Sequence, residues 1–186
     1  NPFFGEDIQN LGLLAQKGFA CAKKGSSKRV NVKEKYIEKV IEPLKKISKS
    51  LDNKTLVWDC GNGACGPSIE SITRNLPGKH IVLYSDVDGN FPNHPADPSN
   101  QNNLLDLKDK VLSENLDFGV AFDGDADRSV FIDDKGNLIS GSLMTCVISD
   151  WLLEKKAEIK VVHNVNIQPS IVEYLKGKGV QTIRSK

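Results

Sequence analysis

The chain has 186 residues, a hydrophobic content of 39% that is enough for a buried core, and 25 basic residues that nearly balance its 24 acidic ones. With this balance the protein has no overall positive charge that would attract nucleic acid or an anionic membrane. Any binding of phosphate must therefore depend on local groups. The sequence contains no apolar run near the ~20 residues of a membrane span, no signal-peptide pattern and no Cys-x-x-Cys pair. We therefore expect a reduced, cytoplasmic protein that binds neither nucleic acid nor membrane.

The first part of the chain combines helical patterns with a connector. Apolar residues at helical spacing predict a helix over residues 6–16, and a polar segment rich in Gly, Ser and Lys over residues 18–28 predicts a connector and a domain boundary. A second helical period runs from Tyr36 to Leu51. Pro43 is expected to kink or split that helix.

Strands and helices alternate in the middle of the chain. Residues 55–60 and 81–84 have buried-strand patterns, and a helix with proline in its first turn is predicted between them at residues 67–76. Residues 86–103 contain three prolines and several Asn and Asp residues, which is too turn-rich for regular structure and too long for a simple connector. Such loops are often functional. A helix is predicted after it, at residues 104–115.

The remaining patterns complete an alternation of strands and helices. Strands are predicted at residues 118–122, 130–132, 138–139, 161–162 and 180–183, helices at 143–153 and 171–175, and a tight turn at 134–137. This alternation predicts an α/β fold, a layered mixed β-sheet with helices on both faces.

Three carboxylates alternate with small residues and precede an arginine in the run Asp123-Gly124-Asp125-Ala126-Asp127-Arg128. Two unit charges about 4 Å apart repel by about 4 kcal/mol at an effective dielectric of about 20, so converging carboxylates require a cation. Oxygen ligands favour Mg²⁺, Mn²⁺ or Ca²⁺ over zinc. Arg128 cannot bind a metal, but it can bind a phosphate.

An EF-hand is excluded, because Arg128 stands where the EF-hand loop needs Gly and Asp134 stands where it needs Glu. A solvated acidic turn is the other interpretation.

The turn Gly61–Gly66 matches the G-x-G-x-x-G fingerprint, lies between a predicted strand and a predicted helix, and is followed twenty residues later by Asp86. One interpretation is a pyrophosphate site in an NAD-dependent oxidoreductase or nucleotide-binding domain. The other is a turn that lets the backbone pass close to another segment. Asp59, at the end of the preceding strand, would place negative charge beside a pyrophosphate and favours the second interpretation.

Two further residues invite functional hypotheses. His94 lies in the loop of residues 88–98 and is either a proton donor or phosphate partner in a cleft, or a residue that fixes the loop through a hydrogen bond. A lone histidine favours the second role. Ser129 follows the acidic run, but no paired base is recognisable beside it, so we expect it to be a strand residue.

Together, the segment 118–128, the turn 59–63 and the loop 88–98 closely resemble motifs of the α-D-phosphohexomutase superfamily, in particular its phosphomannomutase/phosphoglucomutase branch. The resemblance covers about residues 30–186, and three motifs in register are more specific than any one alone. It implies a phosphohexomutase-type domain in which the Gly-rich turn is structural. It further implies that three aspartates bind Mg²⁺, namely Asp123, Asp125 and Asp127.

The resemblance also implies an activity. A phosphohexomutase is an isomerase that moves a phosphoryl group between C1 and C6 of a hexose phosphate, through a phosphoserine and a bisphosphorylated sugar. The implied partners are mannose, glucose or glucosamine phosphate and a hexose 1,6-bisphosphate, and we expect a monomer or a weak dimer. Arg128 is expected to face the phosphosugar or the phosphoserine, and Lys186 corresponds to a substrate-contacting lysine of the family's third domain.

The sequence departs from the family pattern in several places. It has no Ser-His-Asn-Pro, Gly-Glu-Met-Ser-Gly or Arg-x-Ser-Gly-Thr motif, so we expect no catalytic residue here and Mg²⁺ binding without turnover. Residues 1–28 are expected to be the end of a first domain and a connector, 29–139 a second domain with the metal loop, and 140–186 the start of a third. The second histidine that usually follows His94 is absent, and Ala126 replaces a usual glycine, which matters if that position needs positive φ.

Overall fold

The computed structural model describes residues 4–18, 25–44, 48–155 and 158–185, and the chain divides into two compact units at residues 32 and 33. The first unit contains helix α1 (Glu6–Lys17), which has acidic residues in its first turn and Lys17 in its last, as the helix dipole favours. None of the residues of α1 is buried. The prediction of a helix over residues 6–16 is confirmed.

The described part of the second unit contains twelve α-helices and β-strands, besides two short 3-10 helices. In chain order they are α2 (Lys33–Ile41), β1 (Thr55–Asp59), α3 (Gly66–Thr73), β2 (Lys79–Leu83), α4 (Leu105–Ser113), β3 (Phe118–Phe122), β4 (Ser129–Asp133), β5 (Leu138–Ile139), α5 (Gly141–Glu154), β6 (Lys160–His163), α6 (Pro169–Gly177) and β7 (Gln181–Arg184). Each predicted strand and helix is present. Helix α2 ends at Ile41, two residues before Pro43, as expected of a helix that this proline splits. Of the rest of the helical period predicted to Leu51, residues 45–47 lie outside the described residues, and Ser48–Ser50 form a short 3-10 helix.

Five strands form one mixed sheet in the order β2-β1-β3-β4-β5. Strand β1 is parallel to β2 and β3, whereas β4 is antiparallel to β3 and pairs with it up to Phe122 and Ser129. Strand β5 is antiparallel to β4, and β6 and β7 form a separate parallel pair. The carboxyl ends of β2, β1 and β3 therefore lie at the same edge of the sheet, where the loops that follow them meet.

Helices cover both faces of the five-stranded sheet. On one face, Leu107 and Val111 of α4 pack against Val57 of β1 and Ile132 of β4, and all four are fully buried. On the other face, α2 and α3 pack around Cys60 through Ile37, Ile41, Ile69 and Ile72. The prediction of a layered α/β fold with helices on both faces is confirmed.

The connections reverse direction between β1 and β3. The chain passes from β1 through α3 to β2 on one side, whereas α4 carries it from β2 to β3 on the other side of β1 and on the other face of the sheet. Open α/β sheets bind ligands outside the carboxyl ends of the strands at such a reversal. The loops after β1 and β3 lie at this position, so it is where the fold favours a functional site.

The C-terminal elements form a smaller cluster. Leu175 of α6 is fully buried, and Cys146 and Ser149 of α5 are buried as well. Tyr174 of α6 donates a hydrogen bond to a carboxylate oxygen of Asp150 of α5, which joins the two helices. Among the described residues, no helix has both the length and the apolar character needed to cross a membrane.

Replacing Leu107 by Ala should destabilise the fold strongly, because the side chain is fully buried between α4 and the sheet. We expect the free energy of unfolding, measured in urea, to fall by about 2–5 kcal/mol. Leu105→Ala in the same helix is the matched control, since Leu105 is 54% exposed and its truncation should change stability by less than about 0.5 kcal/mol. Equal losses for the two variants would contradict the assignment of the core.

Candidate metal centre at the carboxyl edge of the sheet

Asp123 directly follows β3, and only 2% of this residue is exposed to solvent. Its Oδ1 accepts a hydrogen bond from the backbone N–H of Arg128 at 2.9 Å, and its Oδ2 accepts one from Nε of Arg128 at 2.7 Å. The backbone N–H of Asp123 donates in turn to the carbonyl of Arg128 at 3.2 Å. Burial acts to raise the pKa of Asp123, but the hydrogen bonds and charge of Arg128 outweigh it and leave that pKa below its ordinary value. These hydrogen bonds join the first and last residues of the segment 123–128, which we call the acidic loop.

The structure brings the three predicted ligands together. One carboxylate oxygen from each of Asp123, Asp125 and Asp127 lies within 4.8 Å of the other two, and the second and third residues are exposed. The charges of Asp125 and Asp123 raise the pKa of Asp127, and the opposing charge of Arg128, whose Nε lies 3.8 Å from Asp127 Oδ1, does not cancel this rise.

The donor set fits a hard divalent cation. Opposite ligands of an octahedral Mg²⁺ lie about 4 Å apart, because each Mg–O bond is about 2.0–2.1 Å long. The separations of up to 4.8 Å exceed this distance, so the exposed side chains of Asp125 and Asp127 would rotate towards the ion on binding. Carboxylate oxygens are also the ligands that Mg²⁺ prefers.

Ala126 adopts a left-handed backbone conformation, with φ of 61°. Its N–H donates to the carbonyl of Asp123 at 3.0 Å, which closes a turn over residues 123–126. A residue with a Cβ in this region costs roughly 1–2 kcal/mol more than in the right-handed one. The departure noted in the sequence therefore matters, because this position has the positive φ that glycine tolerates best.

The Gly-rich turn after β1 supports the acidic loop. A Cβ on Gly63 would lie 2.8 Å from the carbonyl oxygen of Gly124, and the N–H of Ala64 donates to that same oxygen at 2.9 Å. A Cβ on Gly66 would lie 1.9 Å from the carbonyl oxygen of Ser85, in the loop after β2. These glycines are required by close backbone approach, as the second interpretation of the motif predicted.

The same turn has few free donors for a pyrophosphate. Five of its backbone N–H groups donate to oxygens of this chain, those of Gly61, Asn62, Gly63, Ala64 and Gly66. A dinucleotide fingerprint works by aiming such N–H groups at the phosphates. The hydrogen bonding therefore argues against the NAD hypothesis.

His94 is held by both ring nitrogens. Its Nε2 lies 3.0 Å from Oδ2 of the fully buried Asp59, and its Nδ1 lies 3.0 Å from the carbonyl oxygen of Pro95. The ring meets Tyr84 edge to face with centroids 5.4 Å apart. Burial raises the pKa of Asp59, and the charge of His94 opposes this rise. These contacts support the interpretation of His94 as a residue that fixes its loop.

The guanidinium of Arg128 lies between two loops. Beyond its bonds to Asp123, its Nη1 lies 3.5 Å from Oδ1 of Asp97, and the side chain is 59% exposed. Sequence reasoning missed Asp97, because nothing near it in the chain indicates a partner across the sheet edge.

Two other predicted residues complete the comparison with the sequence. Ser129 begins β4, as expected of a strand residue. Lys186, the other predicted substrate contact, lies outside the described residues.

The fold and the acidic loop define an α/β domain that presents a cluster of oxygen ligands at the carboxyl edge of its sheet. The family model for phosphoglucomutase/phosphomannomutase, alpha/beta/alpha domain II, matches residues 34–136. Since this match spans more than half of the chain, the chain belongs to the phosphoglucomutase/phosphomannomutase family. A phosphomannomutase/phosphoglucomutase of Pseudomonas aeruginosa is 30% identical over 181 residues, which cover 97% of this chain and 38% of that protein. The chain thus spans well under half the length of this relative.

Solved structures have the same fold. A phosphoglucomutase/phosphomannomutase family protein of Burkholderia thailandensis superposes with a TM-score of 0.81 at 27% identity, covering 98% of this chain and 39% of that one. The N-acetylphosphoglucosamine mutase of Aspergillus fumigatus, described in complex with GlcNAc-6P and magnesium, has a TM-score of 0.59 at 22% identity. It covers 83% of this chain and 32% of that one, and at this identity the likeness shows the fold alone. The predicted resemblance and domain type are confirmed.

Ala126→Gly should stabilise the protein, because glycine adopts φ of 61° without the Cβ penalty. After allowing for the greater freedom of glycine in the unfolded chain, we expect the free energy of unfolding to rise by about 0.5–1 kcal/mol. Ala64→Gly is the control, since Ala64 is exposed and is not a positive-φ residue, and it should lose about 0.4–1 kcal/mol. Changes of the same sign at the two positions would contradict the strain at Ala126.

Asp127→Asn should raise the midpoint of thermal unfolding in metal-free buffer at pH 7. The raised pKa of Asp127 means that folding disfavours its ionised form, so the wild-type protein loses stability as pH rises through that pKa. The difference between variant and wild type should therefore shrink as pH falls towards the ordinary aspartate pKa. Asp134→Asn, an exposed aspartate outside the cluster, should leave the midpoint unchanged. A lower midpoint for Asp127→Asn would overturn the electrostatic argument.

Proposed function

We propose that this chain contributes to a phosphohexomutase, an isomerase that moves a phosphoryl group between C1 and C6 of a hexose phosphate through a phosphoserine and a bisphosphorylated sugar. The observation that carries the proposal is the acidic loop itself. In a chain of this family, three carboxylate oxygens lie within 4.8 Å of one another beside Arg128, at the edge of the sheet where the connections reverse. Phosphoryl transfer needs positioning and charge stabilisation, and this loop offers groups for both.

Asp123, Asp125 and Asp127 would hold Mg²⁺, which when bound supplies positive charge to the oxygens of the transferring phosphoryl group. Asp123 is fixed in place by its two hydrogen bonds from Arg128. Asp125 and Asp127 are exposed, so their carboxylates can rotate onto the ion. A site with three carboxylates suits Mg²⁺ better than Ca²⁺, because Mg²⁺ keeps several waters and needs few protein ligands.

Arg128 would bind the phosphate of the sugar or of the phosphoserine. Its Nε is used by Asp123, whereas its terminal nitrogens carry the other four N–H donors, and the side chain as a whole is 59% exposed. A planar guanidinium with free donors suits bidentate contact with phosphate. Asp97, at 3.5 Å from Nη1, limits how far the guanidinium can swing.

The proposed substrates are mannose, glucose or glucosamine phosphate, with a hexose 1,6-bisphosphate as intermediate. The names of the Pseudomonas and Burkholderia relatives support a hexose phosphate, and the fungal fold neighbour is described with GlcNAc-6P. Lys186 stays a proposed substrate contact. The expected cytoplasmic location and the monomeric or weakly dimeric state stay predictions from the sequence.

The proposed second domain, residues 29–139, also has support. The family model for the second domain matches residues 34–136, within the proposed range of 29–139. The boundary between the two compact units, at residues 32 and 33, lies near the proposed start of that domain. Residues 1–28 and 140–186 stay proposed pieces of the neighbouring first and third domains, and the division into compact units leaves residues 140–186 in the same unit as the second domain.

Mg²⁺ binding tests the proposal directly. Calorimetric titration of the metal-free chain should show one Mg²⁺ site, and saturating Mg²⁺ should raise the unfolding midpoint, since a ligand that binds only the folded state stabilises it. Asp125→Asn, which keeps shape but removes one charge, should weaken Mg²⁺ at least about tenfold, or about 1.4 kcal/mol. Asp134→Asn is the matched control and should bind like wild type.

The same samples separate the proposal from the nucleotide hypothesis. NAD⁺ should cause neither heat nor a change in the unfolding midpoint, because most N–H groups of the turn at residues 61–66 are already used. NAD⁺ binding that Asp125→Asn leaves unchanged, together with no response to Mg²⁺, would favour an NAD-dependent oxidoreductase or nucleotide-binding domain.

A further inference from the structure

A buried carboxylate and a histidine join the loop of residues 86–98 to the end of β1. Asp59 is fully buried, and its Oδ1 accepts from the N–H of Gly61 at 2.9 Å while its Oδ2 faces Nε2 of His94 at 3.0 Å. The side chain of His94 is only 13% exposed. Leaving a buried carboxylate without its partner strongly destabilises the folded protein. The loop that carries His94 is therefore held in the position that keeps this pair intact.

The pair also fixes the backbone of the loop. A carbonyl oxygen can only accept, so Nδ1 of His94 must carry a hydrogen and donate it to the carbonyl of Pro95. The edge-to-face contact with Tyr84 restricts rotation of the ring. The histidine therefore sets the path of the chain at Pro95, two residues before Asp97.

Asn62 is a second anchor for the same loop. This buried residue donates from Nδ2 to the carbonyl of Asp86 at 2.9 Å, and its Oδ1 accepts from Nδ2 of Asn93 at 2.7 Å. Its carbonyl also accepts from the N–H of Asp88 at 3.0 Å. The loop is thus attached near its start and near its end to the turn that follows β1.

The loop, held in this way, contacts the acidic loop. Oδ1 of Asp97 lies 3.5 Å from Nη1 of Arg128, and a Cβ on Gly124 would lie 3.7 Å from the ring of Phe91 and 3.9 Å from Cβ of Ala96. Asp97 is itself oriented, because its Oδ1 accepts from the hydroxyl of Ser99 at 2.7 Å. A continuous series of contacts therefore runs from the buried pair to the arginine that binds Asp123.

We propose that His94, held by Asp59, is a positioning residue for the metal loop. Through Pro95 and Asp97 it confines the guanidinium of Arg128, and so keeps Asp123 and the loop that follows in the conformation that receives the cation and the phosphate. The inference rests on the proposed function for its purpose. Its structural content, that His94 controls the order of the acidic loop, holds for the metal-free chain and can be measured without any ligand.

Amide hydrogen exchange of the metal-free chain tests this role. The N–H groups of Ala64, Ala126 and Arg128 are hydrogen-bonded within or against the acidic loop. In His94→Asn, which keeps a donor near Pro95 and loses the one that faces Asp59, these amides should exchange at least about tenfold faster than in wild type. Amides of β1 should change by less than about twofold, because the sheet ladder opens only with larger unfolding.

Three further variants sharpen the test. His163→Asn makes the same chemical change in β6 and should leave the acidic loop unaffected. His94→Gln keeps a donor for Asp59 and should accelerate exchange only about threefold. Asp97→Asn, at an exposed side chain, should accelerate exchange at Ala126 and Arg128 even if His94→Asn fails to fold.

The outcomes separate the possibilities. Unchanged exchange in the acidic loop of His94→Asn and Asp97→Asn would overturn the proposal, and so would equal acceleration in β1 and in the acidic loop, which indicates a merely structural role. Mg²⁺ titration of the folded His94→Asn variant should show weakened affinity although all three aspartates are intact. If wild type itself binds no Mg²⁺, the proposed function fails, whereas the exchange pattern still decides the role of His94.

Discussion

The contact between Gly63 and Gly124 is the constraint on which the sheet edge depends. The loops after β1 and β3 approach so closely that a single methyl group on Gly63 would collide with the carbonyl of Gly124. That carbonyl is also the acceptor for the N–H of Ala64, so the two loops share a hydrogen bond as well as a surface. The loop after β2 joins them at Gly66. The loops that follow three parallel strands thereby pack closely together, and this packing supports the acidic loop.

Arg128 compensates the carboxylates of the acidic loop unequally. Arg128 donates two hydrogen bonds to Asp123, whereas its Nε lies 3.8 Å from Oδ1 of Asp127, and the charges of Asp125 and Asp123 outweigh it and raise the pKa of Asp127. The left-handed Ala126 adds backbone strain at the same place. Strain and repulsion of this kind persist where the surrounding structure enforces them, and they cluster at functional sites. Their presence beside three closely packed loops supports the proposal that this loop binds a cation.

Much of the fold follows from local pattern. Buried runs such as residues 55–60 and 118–122 became strands of the sheet, and α2 ended where Pro43 required it. The three metal-ligand candidates were recognisable because they are close in sequence. The pairs of side chains between different loops were not recognisable, since Asp59 contacts His94 and Asp97 contacts Arg128 only after the sheet has assembled. The Gly-rich turn was ambiguous for the same reason, because its N–H groups are occupied by acceptors as distant as Tyr84 and Gly124.

The acidic loop is the tip of a β-hairpin, and this limits how it can vary. Strands β3 and β4 pair up to Phe122 and Ser129, and the bond from the N–H of Asp123 to the carbonyl of Arg128 continues their ladder by one step. Because neighbouring residues of a strand point to opposite faces, inserting or deleting one residue in β3 would exchange the environments of Asp123 and its neighbours. The hairpin therefore tolerates substitution, as at Ala126, far better than a change in length. The proposed metal site can accordingly vary only by side-chain replacement at a constant spacing.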